Sequence, residues 1–360
     1  MNIRPIIVTL FNSTNCGAYL QAFALGRYLE RLCGNNVAYY DTGARAIKQN
    51  IRRDLRSSIR HLDPNYYLFE RKRISKYKKL LASVDTISSQ TSFEPNDLLV
   101  FGSDEIWNIQ RAEISEYPAL WGKSFKGGYR VAYAPSANGA DLIKMDSPSL
   151  RFAASISSFK QLSARDSWTS SALEAISGRS ARVVCDPTLL LSCDEYRALQ
   201  TNCRSKDYLL VYSYGGAMTS ENIKEIKGFA HAHGLKTVSS GTYLSWCDIS
   251  LPSDPMEFLG LIDNARYVVT DTFHGSVFSY IYHKQFASIA RKNDKVISFL
   301  RDAGLEDRNP YSAGNRGIES CLEKQVDFQK ADENIDALRK VSTEFLESCV
   351  MGCACSCNHQ

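Results

Sequence analysis

An α/β protein with two doubly wound parallel sheets is the fold class this sequence predicts, and three observations predict it. Strand-length apolar runs alternate with helix-like segments through the first half, at 6–10, 37–40, 98–101 and 129–134. A second strand–helix series begins at 208–212, after a polar break rich in Cys, Ser and Asn near 192–206. Several strand-like runs end in short polar turns that contain Gly, Ser or Asp. Strands that alternate with helices need crossover connections, which make sheets parallel.

Each element follows from its residues. The first strand leads through a polar loop, 12–17, to a helix-like run from Ala18 to Leu32. A second strand at 37–40 precedes a basic helical region, and the strand at 98–101 ends at Gly102-Ser103-Asp104. Ala164-Arg165-Asp166-Ser167 precedes a helix near 169–177. The second series runs through a helix at 219–233, a strand at 236–239, a helix at 255–264 and a strand at 267–270. Ile335, Leu338, Val341 and Phe345 recur at helical spacing and mark a closing helix. The expected organisation is an N-terminal α/β domain at 1–195, a C-terminal one at 205–330, the closing helix at 331–348 and a Cys-rich tail at 349–360.

Composition narrows the classes of function. A chain of 360 residues, 44% hydrophobic and 23% charged, is ordinary for a globular protein of two domains. No segment approaches the ~20 apolar residues of a spanning helix, and no signal-peptide pattern opens the chain, so a cytoplasmic protein is expected. Most of the eleven cysteines are scattered and read as free buried thiols. Cys349, Cys353, Cys355 and Cys357 crowd the tail beside His359. Their spacing is tighter than that of structural zinc sites, so an exposed, partly disordered tail without metal is the expectation, and soft-metal uptake the competing reading.

The net charge of +4 is uneven, because residues 45–79 hold twelve Lys or Arg against three acidic residues. Ile51, Leu55, Ile59 and Leu62 mark one helical face there, and Arg52, Arg53, Arg56 and Arg60 occupy the others. The region reads as a solvated face, or else as a patch for an anionic partner such as a membrane surface or a diphosphate-linked lipid. Nucleic acid is disfavoured, since no recognition motif accompanies the charge.

Four segments carry chemistry. Asn15-Cys16-Gly17 places a glycine where a strand turns into a helix, and free N–H groups there attract anions. Gly102-Ser103-Asp104-Glu105-Ile106-Trp107 sets a carboxylate at a strand end with an indole three residues on. These are ingredients of a sugar site, or of a helix cap with Trp107 in the core. Arg165 beside a helix start could fork onto a phosphate, or bridge to a neighbouring loop. His274 follows Asp271 and Thr272 after a buried strand and precedes Gly275 at a helix start. There an imidazole could hold a phosphate or move a proton. Lys284 and Arg291, further on, could add positive charge to that pocket.

Together these segments resemble the polysaccharide pyruvyl transferase family, in family order over about residues 8 to 290. The pieces are Asn15-Cys16-Gly17-Ala18-Tyr19-Leu20-Gln21-Ala22, Phe101 to Asn108, Ser163-Ala164-Arg165-Asp166, Asp186-Pro187-Thr188-Leu189-Leu190 and Thr270-Asp271-Thr272-Phe273-His274-Gly275. The resemblance implies two Rossmann-like domains facing a cleft, as in GT-B glycosyltransferases. It implies transfer of pyruvate from phosphoenolpyruvate to two hydroxyls of a sugar, with no cofactor. The acceptor would be a surface-polysaccharide (capsule or exopolysaccharide) precursor or a lipid-linked oligosaccharide at the inner membrane face. By motif, His274 and Asp104 would be catalytic. Arg165, His274, Gly275 and Thr272 would hold the donor, and Asn15, Gly17, Asp104 and Trp107 the acceptor. Relatives carry an arginine where this chain has Thr272, so either Lys284 or Arg291 compensates or the donor differs. A nucleotide-sugar glycosyltransferase and a non-catalytic binder of anionic glycans are the alternatives.

Overall fold

The computed structural model describes residues 2–42, 63–88, 92–111, 117–123, 125–201, 206–214, 218–291, 293–314 and 317–357. The expected apolar stripe Ile51, Leu55, Ile59 and Leu62, its flanking arginines, Cys203 and His359 lie outside them.

Seven strands form the first sheet: β1 (Arg4–Val8), β2 (Ala38–Tyr40), β3 (Thr86–Ile87), β4 (Ser92–Phe101), β5 (Lys126–Ala132), β6 (Gln161–Ala164) and β7 (Ala181–Val183). Five form the second: β8 (Tyr208–Tyr212), β9 (Lys236–Ser240), β10 (Ile249–Leu251), β11 (Tyr267–Thr270) and β12 (Gln285–Ser288). The orders are β3-β2-β1-β4-β5-β6-β7 and β10-β9-β8-β11-β12, with every pairing parallel. The expected α/β class, with two parallel sheets in two Rossmann-like domains, is what the chain adopts. Ile6, Ile7 and Val8 of β1, Leu98 to Phe101 of β4 and Val268 and Val269 of β11 are fully buried. Helices cover both faces of such sheets, so the central strands are continuous apolar runs rather than alternating ones. The short edge strands β3 and β10 escape sequence reading because two or three half-exposed residues leave no such run.

The helices of the first half are α1 (Cys16–Cys33), α2 (Pro64–Leu81), α3 (Ser147–Ile156) and α4 (Ser167–Ser177). Those that follow are α5 (Cys193–Arg197), α6 (Ser220–Ala232), α7 (Pro255–Asn264), α8 (Phe273–Ile281), α9 (Asp294–Ala303), α10 (Ile318–Glu323) and α11 (Phe328–Cys357). Side-chain caps begin most of them: Asn15 caps α1, Asp166 caps α4 and Thr272 caps α8, each satisfying a backbone N–H that has no partner in the first turn. The basic face of α2 is partly spent on internal contacts. Arg73 pairs with Glu70 at 2.6 Å and donates to the Thr14 carbonyl at 3.0 Å. Lys76 meets Glu257 of α7 at 2.6 Å, tying the two halves of the chain together.

Helix α11 straps both sheets. Asp332 near its start accepts from Tyr280 at 2.8 Å, and Ser342 accepts from the Cys185 N–H at 2.8 Å. Residues 349–357 of the expected tail are instead the last turns of this helix. Cys349 and Cys353 are buried, four residues apart on the stripe that continues from Phe345, whereas Cys355 is exposed. Gly352 permits the close approach, since a Cβ there would lie 2.2 Å from the Tyr129 hydroxyl. Burial pushes the Cys353 thiol up to about 12, which makes it a poor thiolate donor. Among the described residues no helix is long and apolar enough to cross a membrane.

Candidate functional site

In an open parallel sheet, ligands bind outside the carboxyl ends of the strands where the winding direction reverses. The first sheet reverses between β1 and β4, the second between β8 and β11. The loops that leave these four strands carry Asn15, Asp104, Tyr214 and Asp271. They meet: the Tyr214 hydroxyl donates to Asn15 Oδ1 at 3.0 Å across the domains, and Ser213 Oγ donates to Asp271 Oδ2 at 2.6 Å. Asp104 is part-exposed, with a positive φ of 70°, and its carbonyl accepts from Ser136 N at 2.9 Å. It caps no helix. Burial raises the pKa of Asp271 despite the Ser213 bond.

Beside these loops lies a cluster built around Asp186, at the start of a short 3-10 turn, Pro187–Leu190. Asp186 Oδ1 accepts from the backbone N–H and hydroxyl of Thr188 at 3.1 and 2.7 Å. Arg165 Nη1 donates to Asp186 Oδ2 at 3.0 Å, and His274 Nε2 stands 3.6 Å from Oδ1. Burial opposes ionisation of Asp186. The charge of His274, the charge and hydrogen bond of Arg165 and the Thr188 hydroxyl outweigh it and hold the carboxyl well below the usual carboxylate range. The Arg165 guanidinium also lies over the Phe273 ring at 4.7 Å. Both readings of Arg165 therefore coexist, since it bridges to a neighbouring loop and keeps a free arm. Among the described residues, Arg165 Nη2 and His274 Nε2 are buried with no hydrogen-bond partner.

Arg165 and Asp186 of this cluster wall a small cleft of about 40 Å³ between the domains, with Phe273, Lys295 and Ser298 on its other side. Helix α1 presses on His274: a Cβ on Gly17 would lie 2.1 Å from His274 Nδ1. Gly17→Ala is accordingly expected to push the imidazole aside and lower kcat/KM by about 100-fold. Because alanine favours helix, melting temperature should move little. A variant of normal activity in a phosphate-release assay would refute the contact.

Two expected site residues lie elsewhere. Lys284 follows the far end of α8, before β12, and donates to the Asp263 carbonyl, so it faces the opposite edge of the sheet. Trp107 is fully buried, gives its indole N–H to the Leu120 carbonyl at 3.1 Å and packs edge-on against Phe152 and Phe159. It is a core residue, not a sugar platform. Trp107→Ala should cost about 3–5 kcal/mol in denaturant unfolding, whereas a direct role in acceptor binding would appear as a raised acceptor KM in a folded protein.

Arg291 follows β12 at the correct edge, yet it is spent on Tyr311 at 2.7 Å and Thr219 at 3.4 Å. It does not stand in for the arginine that the family pattern has at Thr272. Thr272 itself caps α8, accepting from Gly275 N at 3.0 Å. Gly275 lets α8 sit on β11, for a Cβ there would come within 2.1 Å of Thr270 Oγ1. Sequence reasoning assigned no role to Asp186, Glu105, Lys295 or Tyr214. For Asp186 a signal existed, its Asp-Pro-Thr turn after a strand; for Lys295, on a surface-like helix, none did.

Two parallel α/β sheets, packed on a shared strap helix with a charged cleft between them, define a two-domain protein of Rossmann-like halves. The model of the polysaccharide pyruvyl transferase family matches residues 15–293, and the chain belongs to that family; it is a transferase enzyme. No curated protein matches the chain in sequence. Among solved structures it is similar to UDP-GlcNAc 2-epimerase from Neisseria meningitidis (11% identity, all of both chains, TM-score 0.47). It is also similar to UDP-GlcNAc 2-epimerase from Methanocaldococcus jannaschii (10% identity, 93% of this chain and 92% of that one, TM-score 0.44). A third is the E. coli heptosyltransferase WaaC (10% identity, 82% and 90%, TM-score 0.39).

Proposed function

We propose that this transferase moves pyruvate from phosphoenolpyruvate onto a sugar of a surface-polysaccharide or lipid-linked oligosaccharide precursor, forming a cyclic ketal. The observation that carries the donor assignment is Arg165 Nη2, buried at the wall of the cleft with no hydrogen-bond partner among the described residues, beside His274 Nε2, which makes no hydrogen bond there and stands 3.6 Å from Asp186. Buried polar atoms are normally paired, and two such N–H groups side by side suit the oxygens of an anion. In the reaction a proton adds to C3 of the enol, positive charge develops at C2, and a sugar hydroxyl attacks C2. The C2–O bond to phosphate then breaks, and a second hydroxyl closes the ring. The two hydroxyl protons balance the one gained by C3 and the one carried off by phosphate.

In this reading Arg165 neutralises the departing phosphate, and His274, kept in place by Asp186, serves as the proton carrier. Asp104 orients the acceptor hydroxyls at the reversal point of the first sheet. The acceptor would lie over the Asn15–Tyr214 bridge. Peripheral contact with the inner face of the cell membrane belongs to the same proposal. It is supported by the exposed side chains of Ile143, Met145, Leu150 and Trp168 near cleft-lining Asp166. The test is release of inorganic phosphate from phosphoenolpyruvate that requires added glycan. Absence of turnover together with absence of phosphoenolpyruvate binding would overturn the proposal. Stabilisation by a nucleotide diphosphate alone would point to a sugar-nucleotide donor instead.

A further inference from the structure

We infer that Lys295, with the first turn of α9, completes the seat for the donor's phosphate, and that it does so by exchanging Glu105 for that phosphate. The inference rests on the donor reading above and extends it to the second wall of the cleft. Lys295 lies in the first turn of α9 and lines the same cleft as Arg165, Asp186 and Phe273. Its ammonium meets Glu105 Oε1, so the ion pair crosses from the second domain to the first. The side chains are 24% and 12% exposed.

Charge balance drives the argument. The two cations, Arg165 and Lys295, are each matched by a carboxylate, Asp186 and Glu105, and Asp166 and Asp302 also line the cleft. A dianionic phosphate brought into such a place needs a cation released to it. Asp186 is a poor candidate to yield one, being tied to Arg165, His274 and both donors of Thr188. Glu105 can yield Lys295 and stay satisfied, because Asn108 Nδ2 donates to its Oε2 at 3.1 Å and Arg111 stands 3.8 Å away. Helix α9 adds a second attraction. Asn293 makes no side-chain cap there, leaving first-turn N–H groups of a ten-residue helix for an anion. The free arm of Arg165, whose side chain is 6% exposed, lies at the same cleft.

Calorimetric titration of the full chain with phosphoenolpyruvate and with inorganic phosphate tests this. Lys295→Met is expected to weaken phosphoenolpyruvate binding by about tenfold or more, with Lys295→Arg largely restoring it. Glu105→Gln is expected to tighten binding by about threefold, and to do nothing in a Lys295→Met background. That non-additivity is the signature of exchange. Unchanged affinity in Lys295→Met, beside lost affinity in Arg165→Met, would overturn the inference and leave the donor reading standing. Weaker binding in Glu105→Gln would overturn the exchange. A wild-type chain that does not bind phosphoenolpyruvate overturns the donor reading, and this inference with it.

Discussion

His274→Gln is expected to lower kcat for glycan-dependent phosphate release by about 10²–10⁴-fold, the span general acid–base groups contribute. Glutamine keeps much of the volume and one amide donor but cannot carry a proton near neutral pH. The fold should survive, because the imidazole packs against Gly17, and its charged neighbour Asp186 keeps Arg165 and Thr188. Phosphoenolpyruvate affinity should fall less than kcat, since Arg165 still presents its unpartnered arm. A variant that keeps its melting temperature and loses turnover places His274 in the chemistry. Turnover within tenfold of wild type would remove it from the mechanism and leave a binding role at most.

Asp186→Asn is expected to destabilise the chain by about 3–5 kcal/mol at pH 7, the cost of stripping one partner from a buried ion pair. Arg165, almost wholly buried, would lose its counter-ion. The amide oxygen could still accept from Thr188, so the penalty comes from the uncompensated guanidinium rather than from the turn. The pH dependence has a definite sign. The folded-state pKa of Asp186 is depressed. Its stabilisation is therefore fully present above the unfolded value of about 3.9 and is lost as pH falls toward the folded one. Wild type and variant should differ from neutral pH down to about 4, then converge in acid. Urea unfolding across that range measures both, and a difference under about 1 kcal/mol at pH 7 would mean that the site relaxes or admits water.

Both predictions concern residues read to different depths in the sequence. His274 was legible because a strand, a polar turn and a helix start follow one another in a few residues, and local geometry then sets the histidine at a sheet's reversal edge. Arg165 was legible in the same way. Trp107 misled because an indole near a strand end serves a core as readily as a sugar; only the positions of Phe152 and Phe159 decide which. Lys284 misled for a plainer reason. A helix of nine residues carries the chain about 13 Å, so a lysine just beyond it stands at the wrong edge. The tail cysteines seemed disordered because their four-residue spacing was masked by the intervening Cys355. Continued along α11, that spacing is simply a buried stripe.

Alternation of apolar and helical runs determined two parallel sheets, and the polar turns after their strands determined which edge would carry chemistry. These are short-range consequences of backbone hydrogen bonding and burial, so they can be read along the chain. The partners of the charges were decided by tertiary structure alone. Arg165 meets Asp186 twenty-one positions on, and Glu105 meets Lys295 across 190. No periodicity links such positions; the two sheets must first pack, with α11 across both, before a cleft exists in which the charges can choose one another.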